Sequence, residues 1–104
     1  MKIKIILTTT DTKNNAQEIA KVLVEQYLSP CVQILPQATS TYRWKDKVKE
    51  SDEYILLIKI SEDQQNICKE IITEMHNYEV PELIELDASI LNIDYANWFT
   101  NNSK

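Results

Sequence analysis

Residues Cys31 to Ile60 read CVQILPQATSTYRWKDKVKESDEYILLIKI. Two long runs rich in β-branched and aromatic residues flank the polar pair Lys45-Asp46, which is the pattern of a β-hairpin. Pro36 cannot donate to a strand ladder, so it marks a bulge or edge feature before the strand resumes from Ala38 to Trp44. The returning run contains Tyr54-Ile55-Leu56-Leu57-Ile58, apolar without alternation. A strand of that kind is buried on both faces.

Upstream, Ile3, Ile5 and Leu7 predict a first strand to about Thr9. Ala16, Ile19, Ala20, Leu23, Val24, Tyr27 and Leu28 then form the stripe of an amphipathic helix, capped by Asp11 or Thr12 and ended by Pro30. Downstream of the hairpin, Ser61 with Gln64 reads as a capping box for a second helix. Its apolar positions are Ile67, Cys68, Ile71, Ile72 and Met75, and Asn77 is its stop. Leu83, Ile84, Leu86 and Ala88 follow Pro81 as a fourth strand, and Leu91, Tyr95, Trp98 and Phe99 fit one face of a short terminal helix.

The order β-α-β-β-α-β is that of an α+β, ferredoxin-like arrangement, with both helices on one face of a four-stranded antiparallel sheet. The other face is then open, yet the third strand is apolar on that side too. Monomers rarely leave a large apolar patch in water, and the terminal helix is too short to shield a sheet. Self-association into a closed ring is the simplest cover.

The 104 residues, with a formal charge of −5, suit one domain spanning 1–104. Acidity excludes nucleic acid as an expected partner, because Lys/Arg contacts normally supply that affinity. No apolar run reaches the ~20 residues of a membrane span, so no membrane association is expected. Met1-Lys2 runs into strand-like sequence rather than a signal peptide, and a cytoplasmic location is expected. Cys31 and Cys68 read as free thiols. Glycine is absent, which removes glycine-rich phosphate cradles and leaves Asp46, Asn77 and Asn92 as candidates for left-handed turns.

The order Ala38-Thr39-Ser40-x-Tyr42-x-Trp44-x-x-Lys47-x-x-Glu50, with Tyr78-Glu79-Val80-Pro81-Glu82-Leu83 and Tyr95-Ala96-Asn97-Trp98, resembles the CutA (divalent-cation-tolerance) family over nearly the whole chain. The resemblance implies a homotrimer with sheets facing inward. It also implies a ligand cleft between subunits, lined by Lys47, Glu50, Lys59, Tyr78 and Glu82, to which Tyr42 and Trp44, alternating on one strand face, would add a ligand-stacking wall. The family pattern can place a copper-binding cysteine at the end of strand one and histidines near the end of helix two. Thr8 stands in the first place here and Met75-His76 in the second, so the metal position narrows to His76, with copper or another divalent cation as the ion.

Spacing alone reads these residues more plainly. Lys47, Glu50 and Glu53 suit cross-strand charge pairs on an exposed hairpin, and Tyr42 with Trp44, two apart, suit packing under a neighbouring subunit. No CxxC, HxxxH or HExxH spacing supports a dedicated zinc site, and Cys31 has no neighbouring base that would make it a nucleophile. The combined expectation is a trimeric metal-tolerance protein that binds a metal ion or small ligand rather than an enzyme. The alternatives are a ferredoxin-like signalling or scaffold module, or an enzyme using Lys47, Glu50, Lys59, Tyr78 and Glu82 as acid, base and anion anchors.

Overall fold

The computed structural model describes all of residues 1–104. In chain order the elements are β1 (Lys2–Thr10), α1 (Lys13–Glu25), β2 (Cys31–Trp44), β3 (Lys47–Ile60), a 3₁₀ turn at Glu62–Gln64, α2 (Gln65–Met75), β4 (Ile84–Ser89) and α3 (Ile93–Asn101). The four strands form one antiparallel sheet in the order β2-β3-β1-β4. This is the expected α+β, ferredoxin-like arrangement with an added terminal helix.

Alternation along β3 assigns its side chains to two faces. Leu56, Ile58 and Ile60 are fully buried and pack with Ile6, Ala16, Ile19, Leu23, Cys68 and Ile72, the core between the sheet and helices α1 and α2. Glu53, Ile55, Leu57 and Lys59 point to the other face. There the register sets Leu57 beside Leu7 and Leu7 beside Ile84, with Ile5 beside Leu86 one step along. Leu35, Ile84 and Leu86 are exposed, and Ile5, Leu7, Ile55 and Leu57 are half-buried. This apolar strip crosses all four strands on the side away from α1 and α2.

The bulge expected at Pro36 is present: the register jumps between Leu35 and Ala38, so Pro36 and Gln37 together oppose Tyr54. It resets strand parity. Cys31, Gln33 and Leu35 face the open side before it, and Ala38, Ser40, Tyr42 and Trp44 do so after it. β1 pairs with β3 only from Tyr54 onward, so Ala38–Trp44 and Lys47–Glu53 form a two-stranded arm paired with nothing else.

Several expectations need correction. Helix α1 ends at Glu25, short of Tyr27 and Leu28, in a Schellman motif. The Tyr27 N–H donates to Val24 O at 3.1 Å and the Leu28 N–H to Leu23 O at 3.0 Å, while Tyr27 takes φ 59°. Leu28 is thus buried by the cap rather than by the helical stripe. Ser61 makes no side-chain cap; the 3₁₀ turn intervenes, and Gln64 donates instead to the Lys104 carbonyl at 3.0 Å. Ile67 and Leu91 are exposed, Leu91 at 96%. Asp46 does take positive φ, but so do Lys45, Gln37 and Tyr27, whereas Asn77 and Asn92 do not.

A tyrosine in the left-handed region carries a steric cost of about 1–2 kcal/mol that glycine avoids. Because Tyr27 is mostly exposed, its side chain offsets little of that. Tyr27→Gly is expected to raise stability by roughly 0.5–1 kcal/mol in urea denaturation. A loss of stability would show that the Tyr27 ring carries packing that outweighs the strain.

Candidate functional site

A polar network at the end of α2 determines how the chain approaches β4. Asn15, buried at the start of α1, donates Nδ2 to Met75 O at 2.9 Å, and its Oδ1 accepts from Thr10 Oγ1 at 2.6 Å and from the Asn77 N–H at 3.2 Å. His76 is held at both ring nitrogens. Its Nδ1 accepts the Tyr78 N–H at 3.0 Å, so Nε2 carries the proton; Nε2 donates to Thr9 O at 2.9 Å and lies 3.3 Å from Thr8 Oγ1. The two positions of the metal expectation, Thr8 and His76, are therefore in contact, joined by a hydrogen bond.

From this anchor Tyr78 reaches across the sheet end to donate its hydroxyl to Glu53 Oε2 at 2.5 Å. Glu53 is only 6% exposed. The Tyr78 ring lies 5.0 Å, centroid to centroid, from the His76 ring. Burial first, then the Glu53 carboxylate, pushes the Tyr78 phenol well above its ordinary range, so it remains a neutral donor.

Between this corner and the base of the arm lies an open groove of about 800 Å³ on the same side of the sheet as the apolar strip. Its walls are Ser40, Tyr42, Trp44, Lys49 and Ser51 from the arm, Thr9 and Asp11 from the end of β1, and Tyr78, Glu79, Val80 and Glu82 from the segment before β4, with Glu53 in its lining. The Tyr42 hydroxyl and Ser51 Oγ are 2.9 Å apart, which ties the ring over the arm. Four carboxylates, Asp11, Glu53, Glu79 and Glu82, face one ammonium, Lys49.

Of the residues expected to share a cleft, the fold brings Tyr42, Trp44, Tyr78 and Glu82 to this groove. Lys47 is on the same strand face but sits at the hairpin tip opposite Trp44, outside the groove walls. Glu50 pairs with Thr41 and projects to the opposite face. Lys59 lies six residues beyond Glu53, about 20 Å along β3. There its ammonium is 4.0 Å from Cys31 Sγ and 5.8 Å from the centre of the Tyr95 ring. One chain therefore assembles no joint acid, base and anion anchor from Lys47, Glu50, Lys59, Tyr78 and Glu82. The expectations did not place Ser40, Lys49, Ser51 or Asp11 in the cleft; Ser40 was read only as part of the hairpin motif and Asp11 only as a helix cap, and their place depends on the hairpin register.

These features coincide with a known family. The sequence pattern described as "CutA1 divalent ion tolerance protein" matches residues 4–102. The chain belongs to the CutA1 family. It is 37% identical over 100 residues to the divalent-cation tolerance protein CutA of Thermus thermophilus, covering 96% of this chain and 97% of that one. Human Protein CutA is 33% identical over 96 residues, 92% of this chain but 54% of the human one, so the chain spans about half of that relative. A solved Thermus thermophilus structure, described as a divalent cation tolerance protein (Cut A1), superposes with a TM-score of 0.91 at 36% identity over 100% of both chains. The CutA1 structure from Oryza sativa superposes with a TM-score of 0.92 at 30% identity, over 99% of this chain and 94% of that one.

The family name directs attention to metal, and the side chains of this CutA1-family member give a definite answer for one chain. No three His, Cys, Asp or Glu side chains come together in a way that would hold an ion. Both His76 nitrogens are engaged, and Cys68 is buried in the core with its thiol pushed up to about 11 by burial. Cys31 is half-buried beside Lys59, on the open face rather than in the core. A resident metal centre does not fit these residues.

Burial holds the His76 imidazole below its ordinary pKa, against the opposing pull of the Thr9 carbonyl, Asp11 and Glu53. Its folded pKa is therefore lower than its unfolded one, so the unfolded state binds the extra proton. The stability this represents is complete above about pH 6.5 and is lost as pH falls towards the folded value. Protonation would also set an Nδ1–H against the Tyr78 N–H. Urea midpoints measured between about pH 7.5 and 5 are expected to fall, with a shallower slope in His76→Gln. Equal slopes would assign the loss to other groups.

Proposed function

We propose that this CutA1-family chain is a homotrimer that contributes to divalent metal tolerance by taking a cation or small ligand into the groove at the base of its arm, with a neighbouring subunit completing the wall. The supporting observation is the open sheet face. Ile5, Leu7, Leu35, Ile55, Leu57, Ile84 and Leu86 make an apolar strip that neither α1 nor α2 covers. The arm points the same way: a two-stranded ribbon is marginal in water without a surface to lie on. Tyr42 and Trp44, both exposed on the open side of the arm, suit such a surface.

The acid excess of the groove favours a cationic ligand, and the divalent-cation tolerance in the relatives' names agrees with that charge. Any copper or other divalent ion held there is cargo of the groove, not a centre coordinated by His76. We place the protein in the cytoplasm, where reducing conditions keep thiols such as Cys31 and Cys68 free.

Light scattering at micromolar concentration is expected to give three times the chain mass of 12.1 kDa. A monomer would overturn the assembly. Equilibrium dialysis against copper(II) and zinc, on wild type and His76→Ala, tests the ligand. Saturable binding that survives in His76→Ala fits the groove, and binding abolished by that change would return the ion to His76.

A further inference from the structure

We propose that the groove accepts an organic monocation, a primary ammonium or amidinium on a small flat body, with Glu53 as its counter-charge and the Tyr42 ring as its wall. This names the ligand class of the groove described above and rests on that assignment.

Glu53 carries the inference. It is more than nine-tenths buried, and Tyr78 supplies the hydrogen bond to Oε2. The ion pairs in the chain are Lys4–Asp87 and Lys21–Glu25, so no ammonium or guanidinium neutralises Glu53. A buried carboxylate in that position is costly unless a positive charge reaches it. No fully enclosed side-chain oxygen lacks a partner, so Oε1, which accepts no hydrogen bond, opens towards the groove. Its cross-strand partner is Ala38, whose small side chain leaves the space above the carboxylate clear.

The walls favour an organic cation over a bare ion. A hard divalent cation needs several oxygen ligands close around it, and the chain gathers no set of three. An ammonium or amidinium needs one carboxylate, and it gains from an aromatic face within about 6 Å. Tyr42 is part of the groove wall, and its bond to Ser51, two residues from Glu53 on the same strand face, leans the ring towards the carboxylate. A groove of about 800 Å³ is far larger than an ion requires and suits a small organic molecule. Asp11, Glu79 and Glu82 surround it with further negative charge that draws cations in.

Calorimetric titration of the assembled protein with benzamidine, and with neutral benzamide of the same shape, tests this. Benzamidine is expected to bind at least about tenfold more tightly than benzamide, and Glu53→Gln to remove that preference. Glutamine keeps an acceptor for Tyr78, so the variant is expected to fold, as circular dichroism will check. Should it not fold, the benzamidine to benzamide ratio on wild type still decides. Tyr42→Ala is expected to weaken both ligands.

Equal binding of the two compounds overturns the counter-charge role of Glu53. Binding of copper(II) or zinc without benzamidine overturns the organic-cation class and leaves the groove as a metal-ion site. Binding of none of them removes both proposals. If Glu53→Gln instead lowers the assembly mass without changing ligand binding, Glu53 pairs with a second copy of the chain and the inference fails.

Discussion

Leu57→Asp is expected to convert the proposed trimer to folded monomers. Leu57 lies mid-strand on the open face, between Gln33 on β2 and Leu7 on β1, with Ile84 next in line. In the isolated chain it is half-buried, so an aspartate there keeps contact with water and the helix-side core of Leu56, Ile58, Leu23 and Ile72 is untouched. In an assembly that covers this face, three carboxylates would be brought together in an apolar contact. Each copy would lose roughly 1.5–3 kcal/mol of leucine burial and incur several more for desolvating an unpaired charge. Because these costs add over three equivalent positions, dissociation should be complete at micromolar concentration. Sedimentation should then report 12.1 kDa with an unchanged helix and strand signal. A variant that keeps the trimer mass would place the contact elsewhere. Leu56→Asp is the control: Leu56 faces the core and is fully buried, so the same charge there is expected to unfold the chain.

Local patterns in the sequence conveyed the architecture because the strongest ones agree with the tertiary fold. The apolar run Tyr54–Ile58 does face two environments, and Pro36 does sit in a bulge. Thr12 caps α1 by accepting the Asn15 N–H at 3.1 Å. What failed depended on contacts distant in sequence. The stripe of α1 extended through Tyr27 and Leu28 because a buried Leu28 has the same spacing whether a helix or a Schellman cap buries it. In a chain without glycine, residue type no longer marks left-handed positions, so Tyr27 and Gln37 gave no signal. Gln64 was read as a capping partner for Ser61, but the C-terminal residue, forty positions away, engages its side chain.

The groove was half legible for a related reason. Tyr42 and Trp44 alternate along one strand, and that much holds. Glu50 is three residues from both Lys47 and Glu53, so in an unbroken strand it cannot share their face; parity alone separates it from them. The grouping of Ser40, Ser51 and Glu53 depends on the two-residue turn at Lys45-Asp46, which sets Ser40 opposite Ser51 and Ala38 opposite Glu53, while the bulge decides which face of the sheet that arm face continues. The Tyr78 to Glu53 bond spans 25 residues and depends on the His76 and Asn15 contacts that direct the segment after α2, none of which has a local pattern.

Phe99→Ala is expected to cost about 3–5 kcal/mol, a large share of the stability of a domain this size. Phe99 is fully buried, yet it is not part of the cluster between the sheet and helices α1 and α2, and neither is the buried Ile3. It anchors α3 at one end of the open face, where Tyr95 stacks 5.3 Å from Trp98 and 6.4 Å from Phe99, and Lys59 approaches the Tyr95 ring. A nine-residue helix is too short to persist in water alone, so removing the anchor should release the whole element. The terminal contacts would go with it: Lys104 N–H to Tyr27 O at 2.7 Å, Gln64 to Lys104 O, and the Thr100 hydroxyl to Met1 Sδ. Hydrogen exchange should therefore accelerate across 93–101 and at the cap around Tyr27, with smaller changes in α2. If exchange changed only within α3, the C-terminus would be a passive tail; if stability fell by less than about 1 kcal/mol, the space left by the ring would have collapsed. The groove lies at the opposite end of β3, about 20 Å from Lys59, so ligand binding by the folded variant is expected to match wild type. That separation makes Phe99→Ala a measure of how far the covered end of the sheet stabilises the protein independently of the groove.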